Sequence, residues 1–315
     1  MTATRKLERD FAYADLAAVS ALLSQLTDED VMTRVGLEAR LEELQKSIAE
    51  LEHVRDTPTA SALLFFGGRP VFGSHGIESE FAGNAVMKFQ DIVAKVLADD
   101  TGRLGQRGIV ANKAAATLHI TNIVRGSFGF LLEETQSQPP LLDTQLKTAV
   151  DDASRLLEAF GQPDEEEFRS AVETIDQRVL GTARAFFDLM RHNGATLRLV
   201  AGNLDRSFGV EAVERAADRA TSTSVEDAEE TLAGQLAGVL PDAHQFEFRT
   251  AEQGTIRGRV DRTLKAAELA GFSKDWVNVD ALARVFVRRV RREGAVVRET
   301  YTLAGLDKLA ADEAR

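Results

Sequence analysis

Residues 62–98 read ALLFFGGRPVFGSHGIESEFAGNAVMKFQDIVAKVLA, and the order of elements in this stretch sets the fold class. The compact apolar run Ala62 to Phe66 predicts a strand, Gly67-Gly68 a turn, and residues 70–72 a second short extended piece. Residues 78–98 then predict an amphipathic helix. Phe81, Ala85, Phe89, Ile92 and Val96 recur every three or four positions, and Val86, Val93 and Leu97 widen the stripe. A glycine-rich stretch, 102–108, leads to two further strands, 117–124 and 127–133, joined around Arg125-Gly126. Leu118 and Ile120 alternate with polar residues on the first, while Phe128, Phe130 and Leu132 share one face of the second. The sum is a small, mainly antiparallel sheet with a helix packed on it.

Upstream, residues 15–26 predict a short helix with Leu16, Val19, Leu22, Leu23 and Leu26 on one side. Thr27 followed by Asp30 resembles the capped start of a second helix running to about residue 54. Its apolar seam is Leu37, Leu41, Leu44, Ile48 and Leu51, spaced 4, 3, 4 and 3 and flanked by charges. Such a helix either lies on its own domain or forms an antiparallel pair or a dimer contact.

Downstream, residues 142–160 and 164–193 predict two long helices folded back on each other, each closed by a glycine near its end. From residue 196 the texture becomes β-rich. Strands are expected at 196–201, 230–240, 244–250, 255–260, 282–292 and 296–303, with helices at 210–220 and 262–269. The expectation is therefore an α+β chain in three parts. These are a helical arm over 1–56, an α+β domain over 57–194 ending in a helix hairpin, and a small β-rich domain over 195–315 resembling an OB or SH3 barrel.

The formal net charge of -12 argues against a chain devoted to gripping duplex nucleic acid. The absence of cysteine removes disulfides, thiolate metal sites and cysteine nucleophiles, and fits a reducing, cytoplasmic setting. Residues 1–15 carry charges of both signs and no apolar segment, so no secretory signal is expected; nor does any run suffice for a membrane helix. Abundant Ala, and Arg in place of Lys, read as a GC-rich bacterial genome.

Motifs for chemistry are weak. Gly68 to Ser74 has the glycine spacing of a phosphate loop but lacks its Lys, and Pro70 removes an amide donor. Ser74 and His75 are sequence neighbours, which does not suit a triad, and no G-x-S-x-G elbow occurs. His53, His75, His119, His192 and His244 show no metal-ligand spacing. Asp242, Glu247 and Arg249 only faintly evoke a metal-dependent nuclease, with Arg where Lys is needed. No cofactor or metal is expected.

Two surfaces remain. The loop Gly73, Ser74, His75 and Gly76 is the preferred place for ligand contact. Arg284, Arg288, Arg289, Arg291 and Arg292, with Arg298 in the next strand, form a possible polyanion patch, of which Arg284, Arg288 and Arg292 share a face with Phe286. The leading expectation is a non-enzymatic binding or regulatory protein acting through a protein partner or self-association, without membrane insertion. The alternatives are a nucleic-acid-associated accessory subunit of a bacterial defence or mobile-element system, and an enzyme whose site is assembled from scattered loops.

Overall fold

Two helices of equal length begin the chain, α1 (Ala3–Gln25) and α2 (Val31–His53), and they pack against each other as an antiparallel hairpin. The computed structural model describes residues 2–26, 30–53, 56–100, 110, 113–124, 128–136, 138, 140–173, 175–261 and 263–308. The Thr27 cap, the 102–108 connection and the Arg125-Gly126 turn expected from the sequence lie outside these residues. The chain divides into two compact units, Met1–Phe168 with Gly181–Ala220, and Arg169–Leu180 with Thr221–Arg315.

In the first unit, α1 starts at Ala3, twelve residues before the helix expected from the sequence. Thr2 supplies the reason: its side-chain oxygen accepts from the Arg5 amide. Ala3 and Leu7 are then buried together with Leu63, Phe65, Leu131 and Val200. Along the hairpin, Leu44 and Ile48 are buried, and Leu37, Leu41 and Leu51 half-buried, facing half-buried Ala12, Leu16, Val19 and Leu23 of α1 and its C-cap Leu26. Both stripes advance by four and three residues, the spacing that lets two helices interlock along a shared seam. Arg5 Nε donates to the Leu51 carbonyl (2.8 Å) and Tyr13 to Glu52 (2.6 Å), which fixes the antiparallel register.

Next come β1 (Ser61–Gly68), the two-residue strands β2 (Val71–Phe72) and β3 (Gly76–Ile77), and α3 (Ser79–Asp100). After these follow β4 (His119–Val124), β5 (Phe128–Glu133), α4 (Gln145–Gly161), α5 (Glu165–Val172), α6 (Gln177–His192), β6 (Ala195–Ala201), β7 (Leu204–Phe208) and α7 (Val210–Ser222). A five-stranded sheet runs β4-β5-β1-β6-β7, with every neighbouring pair antiparallel. The central β1 is buried on both faces, which is why its sequence is an unbroken apolar run and not an alternation. Its odd-numbered residues, Leu63 and Phe65, meet α1, whereas Phe66 stacks edge-on against Phe81 of α3 (5.4 Å between ring centres). Gly68, at φ +83°, ends β1 where a Cβ would sit 2.2 Å from the Gly194 carbonyl oxygen, so the approach of the chain there requires glycine.

Two sequence expectations change here. β6 belongs to this sheet, paired with β1, and not to the C-terminal β region in which its sequence position places it. The single helix expected over 164–193 is two helices. Asp176 restarts the second by accepting from the Arg178 amide (2.6 Å), and the apolar spacing of Phe168, Val172, Ile175 and Val179 continues through the break, hiding it. The apolar stripes expected on α3 and α4 face inward: Phe81, Ala85, Phe89, Ile92, Leu146, Val150, Ala153, Leu157 and Phe160 are buried and Val96 is half-buried.

The second unit holds β8 (Thr223–Leu240), β9 (Gln245–Thr250), β10 (Gly254–Val260), α8 (Ala266–Asp275), β11 (Asp280–Arg292) and β12 (Ala295–Lys308). The five strands close into a barrel in the order β10-β12-β11-β8-β9. Only β10 and β12 run parallel. Counted within the barrel, the order is 1-2-3-5-4 returning to 1, with a helix between the third and fourth strands. Its interior is Leu236, Phe246, Phe248, Val260, Ala281, Ala283, Val285, Val287 and Leu303, and Leu269, Phe272 and Trp276 of the α8 region pack against these. β8 begins seven residues earlier than the sequence suggests, because the acidic run 226–230 is itself part of the strand. α8 lies four residues later than expected at its start. Among the described residues, no helix is long and apolar enough to cross a membrane.

Candidate functional site

The loop Gly73, Ser74, His75 and Gly76 is the turn between β2 and β3. Gly73, Ser74 and His75 are exposed, the His75 amide donates back to the Phe72 carbonyl (3.0 Å), and the His75 ring lies against Phe72 (6.1 Å between centres). Phe72 is itself 79% exposed. The loop is thus an open hairpin tip, with no carboxylate among the described residues bonded to the imidazole. Among the described residues, no group of three or more His, Asp or Glu side chains is placed to hold a metal ion.

Four of the five arginines of β11 are paired with carboxylates. β11 pairs with β8 so that the basic strand lies against the acidic run of β8. Arg288 meets Asp227 (2.8 Å), Arg291 meets Glu226 (3.0 Å), and Arg289 meets both Glu230 (2.5 Å) and Glu299 of β12 (2.6 Å). Arg284 pairs with Asp307 (2.9 Å). The segment between α5 and α6 adds Asp176 beside Arg288 (3.9 Å) and Glu173 beside Arg298 (3.2 Å). Arg292 is half-buried opposite Thr223. Opposite charges directly across a ladder stabilise the pairing, so the two charge runs that look separate in the sequence are two halves of one zipper.

Arg289 also occupies a particular place. It has the parity of Val285 and Val287, which face the barrel interior, so it lies at the barrel mouth away from α8. There it anchors a polar plug: Glu299 accepts from Arg289 and from the Tyr301 hydroxyl (2.9 Å). These hydrogen bonds hold the Glu299 carboxyl below its ordinary range, while burial and then Glu299 push the Tyr301 phenol up to about 12. Arg289, Glu230, Glu299 and Tyr301 thus form one hydrogen-bonded polar cluster at that end of the barrel.

The opposite wall carries two further arginines without a charge partner among the described residues. On the outer face of β9 and β10 the register sets Gln245 beside Arg259, Glu247 beside Arg257, and Arg249 beside Thr255. Arg257 binds Glu247 (2.7 Å), while exposed Arg249 and Arg259 have no ion pair or side-chain hydrogen bond among the described residues. Sequence reading missed this set because the three arginines are spread over two strands and never form a run.

The helical hairpin presents the third surface. With the seam Leu37, Leu41, Leu44, Ile48 and Leu51 turned inward against α1, the apolar groups left outside are Phe11 and Leu22 of α1 and Val31, Met32 and Val35 of α2. Their exposures run from 51% at Leu22 to 86% at Met32. Exposed Asp15, Glu38 and Glu42 border them in helical projection, and Glu38 and Glu42 have no ion-pair partner among the described residues. Neither a protein-family model nor a curated protein nor a solved structure matches this chain.

Proposed function

We propose that the chain is a non-enzymatic binding protein whose N-terminal hairpin docks a partner protein through its outer apolar stripe. The observation that carries this reading is the stripe itself: Val31, Met32 and Val35 stand exposed on a helix whose core-facing seam is already filled. A helix that is apolar on a second face has surface left over for another chain. The acidic border, Asp15, Glu38 and Glu42, matches a partner helix that is apolar on one side and basic at its edges. A second copy of the same acidic face fits less well, since like charges would meet. A cytoplasmic setting is part of this proposal, supported by the absence of cysteine.

The test is titration of the full chain with a designed leucine-lysine amphipathic helix carrying a fluorescent label. Met32→Glu with Val35→Glu should weaken binding on the order of tenfold or more, as loss of two apolar anchors does. Glu38→Lys with Glu42→Lys should weaken it and reduce its salt dependence. Equal binding by the parent and both double variants would overturn the reading. A concentration-dependent dimer in light scattering, lost in the Met32 and Val35 variant, would replace the basic helix with a second copy.

A further inference from the structure

We infer that the outer face of β9 and β10 binds single-stranded nucleic acid, with Arg249, Arg257 and Arg259 on the phosphates and Phe286 beneath a base. Arg284, Arg288, Arg289 and Arg291 of β11 each pair with a carboxylate of the same unit, so that strand has little charge to offer. β9 and β10 differ: three exposed arginines face one carboxylate, Glu247, and two of them have no partner among the described residues. Uncompensated guanidinium groups on a flat, exposed ladder are what a phosphate backbone pairs with, because each contact also releases a condensed counterion. Arg257 and Arg259 alternate along one strand, which sets their Cα atoms about 6.6 Å apart, a repeat comparable to that of phosphates along an extended single strand.

The register supplies the second half of the site. Arg259 pairs with Thr302, and Thr302 with Phe286, so the three lie in one row across β10, β12 and β11. Phe286 is 44% exposed on the outer face. Neighbouring strands are about 4.8 Å apart, so a phosphate on Arg259 leaves its base or the next within reach of that ring. An aromatic platform beside a basic track is the combination that holds single strands without reading sequence. A duplex, whose bases are stacked inside, would use the arginines alone. A sulfated polysaccharide would do the same, and Phe286 is the observation that favours the single strand.

The experiment is fluorescence anisotropy of the full chain with a labelled oligo-dT, repeated over a salt series beginning at about 50 mM, where phosphate contacts are strong. The expected result is binding that falls with salt, with the logarithmic slope reduced by about 0.7 for each arginine removed. The triple variant Arg249→Ala, Arg257→Ala, Arg259→Ala should lose on the order of a hundredfold in affinity. All three are exposed, and circular dichroism checks that the variant still folds. Phe286→Ala should weaken oligo-dT about tenfold, by loss of stacking, and leave heparin binding unchanged. No binding of oligo-dT at the lowest salt, or an unchanged affinity in the triple variant, would overturn the inference. Tight heparin binding with no effect of Phe286→Ala on oligo-dT would overturn it in favour of a general polyanion site. The hairpin variants Met32→Glu and Val35→Glu should not alter oligo-dT binding, which separates this outcome from that of the docking proposal.

Discussion

The Arg219 guanidinium lies 4.7 Å from the centre of the Phe168 ring and forms an ion pair with Glu165 (2.9 Å). Its remaining N–H groups donate to the carbonyls of Ala159, Phe160, Gln162, Pro163 and Asp164. Arg219 is only 4% exposed. One side chain of α7 thus satisfies the carbonyl oxygens that the end of α4 and the turn into α5 leave open. Arg219→Met would fill the space and leave those acceptors and Glu165 without their donor. The expected loss is about 2–3 kcal/mol, the size of leaving buried acceptors without a donor, because Glu165 itself is partly exposed and its charge stays solvated. Arg219→Lys should recover little, because a single ammonium cannot spread over so many acceptors. Urea unfolding followed by circular dichroism measures both, and a loss below about 1 kcal/mol in the Met variant, the size of an exposed ion pair, would show that the cluster is not needed.

Gly258 makes the barrel closure possible. A Cβ there would lie 2.2 Å from the Tyr301 carbonyl oxygen and 2.7 Å from the Phe246 ring, so β12 and Phe246 together occupy the space. The parallel joint between β10 and β12 rests on two register pairs, Arg259 with Thr302 and Val260 with Leu303. Gly258→Ala should therefore open the joint and destabilise the second unit by about 3 kcal/mol, the upper range of overpacking. The chain has a single tryptophan, and Trp276 packs against the barrel interior. Its fluorescence transition should move to lower denaturant. Gly271, in α8 with open space around its Cβ position, is the matched control.

The α+β class and the barrel-like C-terminal region were legible because both rest on local periodicity. Phe81, Phe89 and Ile92 report a helix, and Phe246, Phe248 and Ile256 report half-buried strands, wherever the chain later carries them. What was hidden depends on pairing at long range. Nothing local says that β6 joins β1, or that Glu226, Asp227 and Glu230 face Arg291, Arg288 and Arg289 across a ladder. The arginine run therefore reads as a free basic patch when considered alone. Arg249, Arg257 and Arg259 show the converse: they are unremarkable in sequence and become a group only through the β9–β10 register. The 173–176 break was invisible for a third reason, since a helix restart that keeps the apolar spacing leaves no trace in the pattern.

Tyr301 gives the barrel a measurable alkaline weakness. Its phenol is pushed from 10.0 to about 12, first by burial and then by Glu299. The folded state therefore keeps the proton after the unfolded state has released it. Stability is unaffected below pH 10 and falls as pH rises from there to about 12, where the folded phenol also ionises. Tyr301→Phe should flatten this part of the profile, read from Tm between pH 9 and 12 against the parent. Glu299→Gln should lower the onset of tyrosinate absorbance only part of the way, because burial, the larger cause, remains. An unchanged alkaline profile in Tyr301→Phe would remove the phenol from the explanation.

Two carboxylates of the first unit should respond to acid with opposite signs. Asp205 accepts two hydrogen bonds from Arg198 (2.8 and 2.7 Å), which holds its carboxyl below 3.8. Its contribution is present above 3.8 and is lost as pH falls through the lowered value. Asp205→Asn should cost about 1 kcal/mol at neutral pH, the upper end for a partly exposed pair, and progressively less in acid. Asp151 is the reverse case. It is half-buried on α4 against the β6–β7 turn, where a Cβ on Gly202 would lie 2.8 Å from its Oδ1, and burial raises its carboxyl above 3.8 despite Arg155 and Lys147. Charging it in the folded state is unfavourable, so stability falls as pH rises from 3.8 through the raised value. Asp151→Asn keeps the shape and removes the charge, and its Tm should exceed the parent's at pH 7 and converge with it below pH 3.8. Thermal melts of both variants across that range decide the matter: parallel shifts of the same sign would mean that desolvation and the Arg198 pair do not set these two acids apart.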